Sequence, residues 1–299
     1  MSAEPMATLI RPRMGTWLAL TLPAGRARDA SAVFSSVGAI ERVMSRHDPQ
    51  STLRRVNAHA GADGDDVAPL ARALVQARAL AAATEGAFDP TVGPLLALWE
   101  GAARRHTEPS AGDVADACAR VGWRALDVAP GRVRLTRRGM SLALDAFAKG
   151  VALDQAAGLV RGRGFPALLN FGESSLLAVG RPPGARWHVA LRDRRGGFAG
   201  TFTLRDRACS TSAVNGRRWA LGGRTIGHVV DPRTGRPLER DAQVTVLARS
   251  AAVAEALSTA LLVLGPDALD AVTRRYRADA CWLDGERIVT TPWFPLRRA

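Results

Sequence analysis

Beyond residue 125 the chain is crowded with short apolar runs set off by Gly and Pro, and the helical stretches among them keep no regular alternation with the strands. Candidate strands centre on Val133, Leu142, 168–171, 176–179, 187–191, 201–204, Val229 and 244–247, with helices expected over 147–163, 253–264 and 267–275. A doubly wound parallel sheet would demand repeated strand–helix–strand units. This order implies the α+β class instead, with mixed or antiparallel sheets and flanking helices. Upstream, "GTWLALTL" alternates like a strand. "DASAVFSSVGAIERVMSRH" places Val33, Val37, Ile40, Val43 and Met44 at helical spacing. Two further helices are expected in "PLARALVQARALAAATEG", closed by Gly86, and in "VGPLLALWEGAARR" after the "FDPT" break. No internal repeat or long linker interrupts the chain, and "RPPGARW" and "RDRRGGFAG" are turns, so one domain over residues 1–299 is expected.

At 299 residues, 47% hydrophobic and 23% charged, the chain can bury a substantial core. No apolar run reaches the roughly 18 to 20 residues of a membrane span. Arg11 and Arg13 interrupt the N-terminal stretch, which does not have the form of a signal peptide. Cys118, Cys209 and Cys281 are isolated, which fits neither a disulfide framework nor a CxxC site. A cytoplasmic setting follows as the expectation. The net charge of +13 raises nucleic acid as a partner, but the arginines are scattered from Arg11 to Arg298 with no recognition element. An anionic small ligand such as a nucleotide diphosphate explains the sign equally well.

Among 41 cationic side chains one is lysine, Lys149 in "LDAFAKGVALD". An ammonium is a compact point charge where a guanidinium is a wide planar fork, so the exception points to an oxyanion in a tight place. Lys149 also sits at the start of a helix, where a cation opposes the macrodipole at a cost of about a few tenths of a kcal/mol unless an anion is bound. Asp154, five residues on, reads as a solvated or salt-bridged helix residue.

Three other stretches are richer in polar groups than packing needs. In "EGAFDPTVGPL", Asp89 is placed either to cap the following helix or to border an anion site at its start. In "GHVVDPRTGRPL", a strong Asp-Pro-x-x-Gly turn follows His228, which is either a packing residue or a proton acceptor. In "VAEALSTALLVLG", Glu255 and Thr259 are four apart and share a helix face, a hard oxygen pair of the kind Mg²⁺ accepts.

Taken in order, these segments resemble the ApbE family, the FAD:protein FMN transferases. "MGTWLAL", "HDPQSTLRRVNAHAG", "GAFDPTVGPLLALW", "FAKGVALD", "LLNFGESSLLAVG", "STSA", "GHVVDPRTGRPL" and "VTVLARSAAVAEALSTALLVLG" follow the family's sequence of motifs from residue 14 to about 265. The resemblance implies an ApbE-like, T-fold-related architecture. It also implies Mg²⁺-dependent cleavage of FAD, with FMN joined to a Ser or Thr hydroxyl of an acceptor protein and AMP released. Met14, Gly15, Thr16, Phe88, Asp89, Gly172 and Ser212 would then border the bound FAD, Lys149 would approach its diphosphate and His228 its reacting phosphate. Glu255 and Thr259, with a carbonyl at Ala146, would hold the metal, making Lys149, His228 and Glu255 the catalytic set. A monomer or homodimer is expected.

Three departures mark this chain. Glu255 stands where the family usually has aspartate; Asp145–Ala146 and Gly172–Glu173 replace Gly-Gly pairs; and "TSAVNGRRW" lacks the family's tyrosine. They leave a second reading, an FAD-binding protein or FAD pyrophosphatase with water as acceptor. A third, an RNA- or membrane-surface-binding protein, rests on net charge alone.

Overall fold

The computed structural model of the chain describes residues 4–192, 197–214, 218–221, 224–285 and 287–298. Strands β1 (Met6–Arg13) and β2 (Thr16–Pro23) form a hairpin turned by Met14 and Gly15, both at positive φ. The helical first half follows: α1 (Ala30–Met44), α2 (Thr52–Ala58), α3 (Ala68–Ala83), α4 (Gly93–Arg105) and α5 (Ala111–Ala119), with the two-residue β3 (Asp65–Asp66) between α2 and α3. The hairpin β4 (Leu126–Ala129) and β5 (Arg132–Leu135) precedes α6 (Ala148–Gly162). Then come β6 (Ala167–Phe171), β7 (Ser175–Val179), β8 (Trp187–Arg192), β9 (Phe198–Leu204), β10 (Ala208–Ala213), β11 (Arg218–Leu221), β12 (Arg224–Gly227) and β13 (Ala242–Ala248). The chain closes with α7 (Ala251–Leu264), α8 (Leu269–Arg274), β14 (Asp279–Asp284) and β15 (Arg287–Thr290).

One eight-stranded sheet, in the order β1-β2-β6-β7-β10-β13-β14-β15, is antiparallel at every pairing. Its strands β7, β13 and β14 are buried on both faces because alternate residues feed two separate cores. Leu177 and Val179 of β7, Val244 and Val246 of β13 and Trp282 of β14 join the helices in one cluster. Their neighbours Leu176, Ala178, Leu247, Cys281 and Leu283 pack beneath the β8–β9 hairpin in the other. Strands buried on both sides read as continuous apolar runs, which is why 244–247 shows no alternation.

Several expectations need correction. Residues around Leu142 and Val229 make only irregular extended connections, in which Ser141 bridges Val92 and Val230 bridges Pro237. The helix expected over 267–275 is present as α8, entered through a 3₁₀ turn at Pro266–Ala268. Strands β1, β3, β4, β10, β11, β12, β14 and β15 and helices α2 and α5 are not among the expected elements: the arginines and Pro12 of β1 and the Ser/Thr run of β10 carry little apolar signal. Part of the "RDRRGGFAG" turn and residues 215–217 of "TSAVNGRRW" lie outside the described residues.

Candidate functional site

Helices α6 and α7 cross at Gly150, where an added Cβ would lie 2.5 Å from the backbone of Ala251 and Ala252. Only glycine allows that approach. Its consequence is chemical, since the Gly150 N–H donates to Glu255 Oε2 at 2.9 Å. Glu255 Oε1 accepts from Ser175 Oγ at 2.6 Å and faces Lys149 Nζ at 3.7 Å. Burial pushes the Glu255 carboxyl above its ordinary range, against the opposing pull of the Lys149 charge and the hydrogen bonds from Ser175 and Gly150. Lys149 Nζ also donates to Ser174 Oγ at 3.1 Å and keeps about a quarter of its side chain exposed. The ammonium therefore stands between a buried carboxylate and open space.

Asp154 completes the pair of helices, and here the sequence expectation fails. It is not a solvated residue of α6: its carboxylate accepts from Ser250 Oγ at 2.6 Å and from the backbone N–H groups of Ala251 and Ala252 at 2.7 and 3.1 Å. It thereby caps the neighbouring α7, whose first N–H groups have no partner within the helix. In "AKGVALD" the lysine faces the site, the glycine permits the crossing and the aspartate anchors the second helix.

One turn beyond Glu255, Thr259 Oγ1 lies 3.3 Å from Ser212 Oγ, which in turn is 2.8 Å from Ser258 Oγ. Ser210, Ser212 and Ser175 share the sheet face that meets α7, so β7 and β10 supply hydroxyls where other strands supply Val and Leu. The β6–β7 turn borders the same place. Gly172 and Glu173 both have positive φ, and a Cβ on Gly172 would come 2.7 Å from Thr16 Oγ1. Thr16, Lys149, Gly172, Ser212, Glu255 and Thr259 are thus brought into one region at the start of α6. Met14 leads into it from the β1–β2 turn, its N–H held by Glu41 Oε1 at 2.7 Å.

Phe88 and Asp89 stand behind this surface. Phe88 is buried against Phe147, with ring centroids 6.0 Å apart. Asp89 does not cap α4; it accepts from Thr91 N, Thr91 Oγ1 and Trp123 N at 2.8, 2.7 and 2.9 Å, and burial raises its pKa against those bonds. The Pro90 carbonyl then accepts from Ala143 N, fastening this turn to the segment that delivers Ala146 and Lys149. Asp145, one of the departures from the family pattern, is held by Arg46, which also pairs with Glu100 of α4. No sequence signal marked Arg46 or the Ser174–Ser175 pair.

His228 follows β12, at whose end Gly227 lies against Val214, two residues past Ser212. The Asp231 carboxylate behind it is taken by Arg233, whose guanidinium nitrogens lie at 2.9 and 3.0 Å, and Trp99 Nε1 donates to the Gly235 carbonyl at 2.8 Å. The turn is a rigid support for the histidine.

The donor set suits a hard cation. A carboxylate has about four lone-pair positions, and the hydrogen bonds to Glu255 leave some of them open. Thr259 Oγ1 adds a neutral oxygen. No group of three His, Cys, Asp or Glu side chains that could hold a metal is gathered anywhere among the described residues, this site included, so a metal here would have to complete its shell with carbonyl, water or ligand oxygens.

The sequence model of the ApbE family matches residues 14–282. The chain belongs to the ApbE family. Among its ApbE relatives, an FAD:protein FMN transferase of Rhodobacter capsulatus is 35% identical over 257 residues, covering 82% of this chain and 48% of the relative. One of Klebsiella pneumoniae is 33% identical, covering 81% and 73%. The chain thus spans about half the length of the first and nearly three quarters of the second. The ApbE protein of Thermotoga maritima superposes with a TM-score of 0.86 at 26% identity, covering 96% of this chain and 97% of that one. Apo flavinyl transferase ApbE of Pseudomonas stutzeri gives 0.82 at 27% identity, covering 97% and 95%. The α+β ApbE architecture is therefore the observed one. No helix among the described residues is long and apolar enough to cross a membrane.

Proposed function

We propose that this chain is an FAD:protein FMN transferase, moving FMN from FAD to a Ser or Thr hydroxyl of an acceptor protein in a Mg²⁺-dependent reaction that releases AMP. The observation that carries the reading is the lone lysine beside a buried carboxylate, on a helix pair whose crossing only glycine permits, in a chain of the ApbE family. Lys149 binds the diphosphate of FAD and offsets the charge gathering on its phosphoryl oxygens. Glu255, Thr259 and the Ala146 carbonyl hold the Mg²⁺. The ion, when bound, supplies Lewis-acid neutralisation of the diphosphate. Thr16, Gly172 and Ser212 border the flavin nucleotide, while Met14, Gly15, Phe88 and Asp89 shape the wall behind it.

The acceptor oxygen forms a bond to the FMN phosphorus, the P–O bond to AMP breaks, and AMP leaves with that electron pair. The acceptor's proton goes to a base. We assign the proton to His228 because an imidazole, with an ordinary pKa near 6.5, suits proton transfer at neutral pH better than a carboxylate such as Asp231 or Glu255. FAD, Mg²⁺ and a flavin-acceptor domain should yield a covalent FMN adduct by mass and one AMP per adduct, abolished by chelator. AMP and free FMN with an unmodified acceptor would establish the pyrophosphatase reading instead. FAD should bind more tightly than FMN, and equal affinities in titration would count against a site built for both ends of the dinucleotide.

A further inference from the structure

Far from Lys149, at the other end of α6, the surface is concave and strongly basic. A cavity of about 800 Å³ is lined by Arg161, Arg205, Asp206, Arg207, Arg249 and Arg277. A second hollow of about 360 Å³ shares Arg161 and Asp206 with it and adds Arg181 and an apolar wall of Phe165, Pro166 and Val179. Twelve residues of helix separate Arg161 from Lys149, a rise of about 18 Å. This groove is distinct from the candidate active site.

Its charges are largely uncommitted. Arg207 is paired with Asp279 at 2.7 Å and donates to the Leu247 carbonyl. Asp206 accepts from Gly180 N at 2.8 Å and lies 3.7 Å from Arg205. The exposed guanidinium groups of Arg161, Arg249 and Arg277 make no side-chain hydrogen bond or ion pair to any described residue, although the Arg161 charge is felt by Asp154. Five guanidinium groups from four separate segments line the groove with one carboxylate, Asp206, which only Arg205 approaches to within ion-pair distance. Mutual repulsion disfavours that gathering, and scattered arginines on a basic surface do not require it.

We propose that this groove is a second ligand site, which binds a phosphate-rich anion. The guanidinium fork matches phosphate oxygens two at a time, and the volume suits a small molecule rather than a polymer. The adjoining wall, where half-buried Pro166 stands beside the nearly buried Phe165 and Val179, can take the edge of an uncharged ring, so a nucleoside triphosphate uses both hollows where inorganic tripolyphosphate uses one.

The test is calorimetric titration of the full chain with ATP and, separately, with tripolyphosphate at physiological salt. The two variants compared are R161Q/R249Q/R277Q and R72Q/R104Q/R287Q, which lose equal charge. None of the six residues belongs to the FAD site, so FAD affinity should be unchanged in both and reports that the fold is intact. The proposal expects saturable binding that falls at least tenfold in the groove variant and stays within twofold of the parent in the control. Tighter binding of ATP than of tripolyphosphate would mark the apolar wall as part of the site; equal binding would assign the site to the phosphate chain alone. Absence of saturable binding by either probe, or equal weakening in the two variants, would overturn the proposal and leave the groove a solvated surface.

Discussion

The two faces of the large sheet are built from the same strands and do different work. Beneath the β8–β9 hairpin the packing is apolar throughout its buried cluster, with Trp187, Leu191, Phe202, Leu204 and Phe294 against Leu176, Cys209 and Leu283. On the helical face Ser175, Ser210, Glu255 and Ser258 are buried among Ala and Leu. A strand's side chains point alternately to the two faces, so β10 sends Cys209 to one core and Ser210 and Ser212 to the other. Stability resides most simply in the first face, and the chemistry has been let into the second.

That contrast is open to experiment. Phe202, whose ring meets Phe294 edge-on at 5.6 Å, should cost about 3 to 5 kcal/mol of stability as Phe202→Ala. Urea unfolding measures the loss, and FAD turnover per folded molecule should not change; a fall in turnover would show that the faces are coupled. Lys149→Arg reverses the pattern, with unfolding near the parent's and turnover down about 100-fold, or about 2.7 kcal/mol of transition-state stabilisation. Parental turnover in that variant would mean that the single lysine is an accident of composition.

Asp154→Ala tests the join between the two helices. Loss of a helix cap is worth about 0.5 to 2 kcal/mol, and here it should also raise the Mg²⁺ concentration needed for half-maximal AMP release. A lowered melting temperature with an unmoved Mg²⁺ requirement would confine Asp154 to the fold. Glu255→Gln should abolish Mg²⁺-dependent turnover while shifting stability least. The raised Glu255 pKa means that the unfolded chain loses this proton more readily than the folded one. Its effect on stability is nil below the unfolded carboxylate range and grows unfavourable as pH rises towards the folded value. Thermal melts without metal should therefore show the variant gaining on the parent from pH 4 to pH 8. The opposite trend would mean that Lys149 holds the carboxylate ionised more strongly than burial opposes it.

The α+β class and the helices with clear 3.6-residue spacing were legible because α1, α3 and α6 each pack an apolar stripe, and α7 because it is buried nearly all round as one apolar run. Lys149, Glu255 and Thr259 could be singled out as candidates because each stands out in its own segment. What the order of residues hid was contact across distance. Asp154 looks like an ordinary helix-surface acid until α7 is laid beside it, and nothing near Arg46 says that it bridges α4 and Asp145. Asp89 was misread for a related reason: its partners include Trp123, thirty-four residues on, so local capping seemed sufficient.

The glycine at the helix crossing matters for how variation in such a protein would be scored. A side chain at residue 150 would displace the start of α7 and withdraw an N–H from Glu255 in the same movement. A library screened for soluble expression would class the position as architectural, and one screened for product would class it as catalytic. Both labels would describe one interatomic distance. Changes at Glu255 and Gly150 should accordingly combine non-additively, and any lineage that lengthened the acid at 255 had to do so without room to move the crossing.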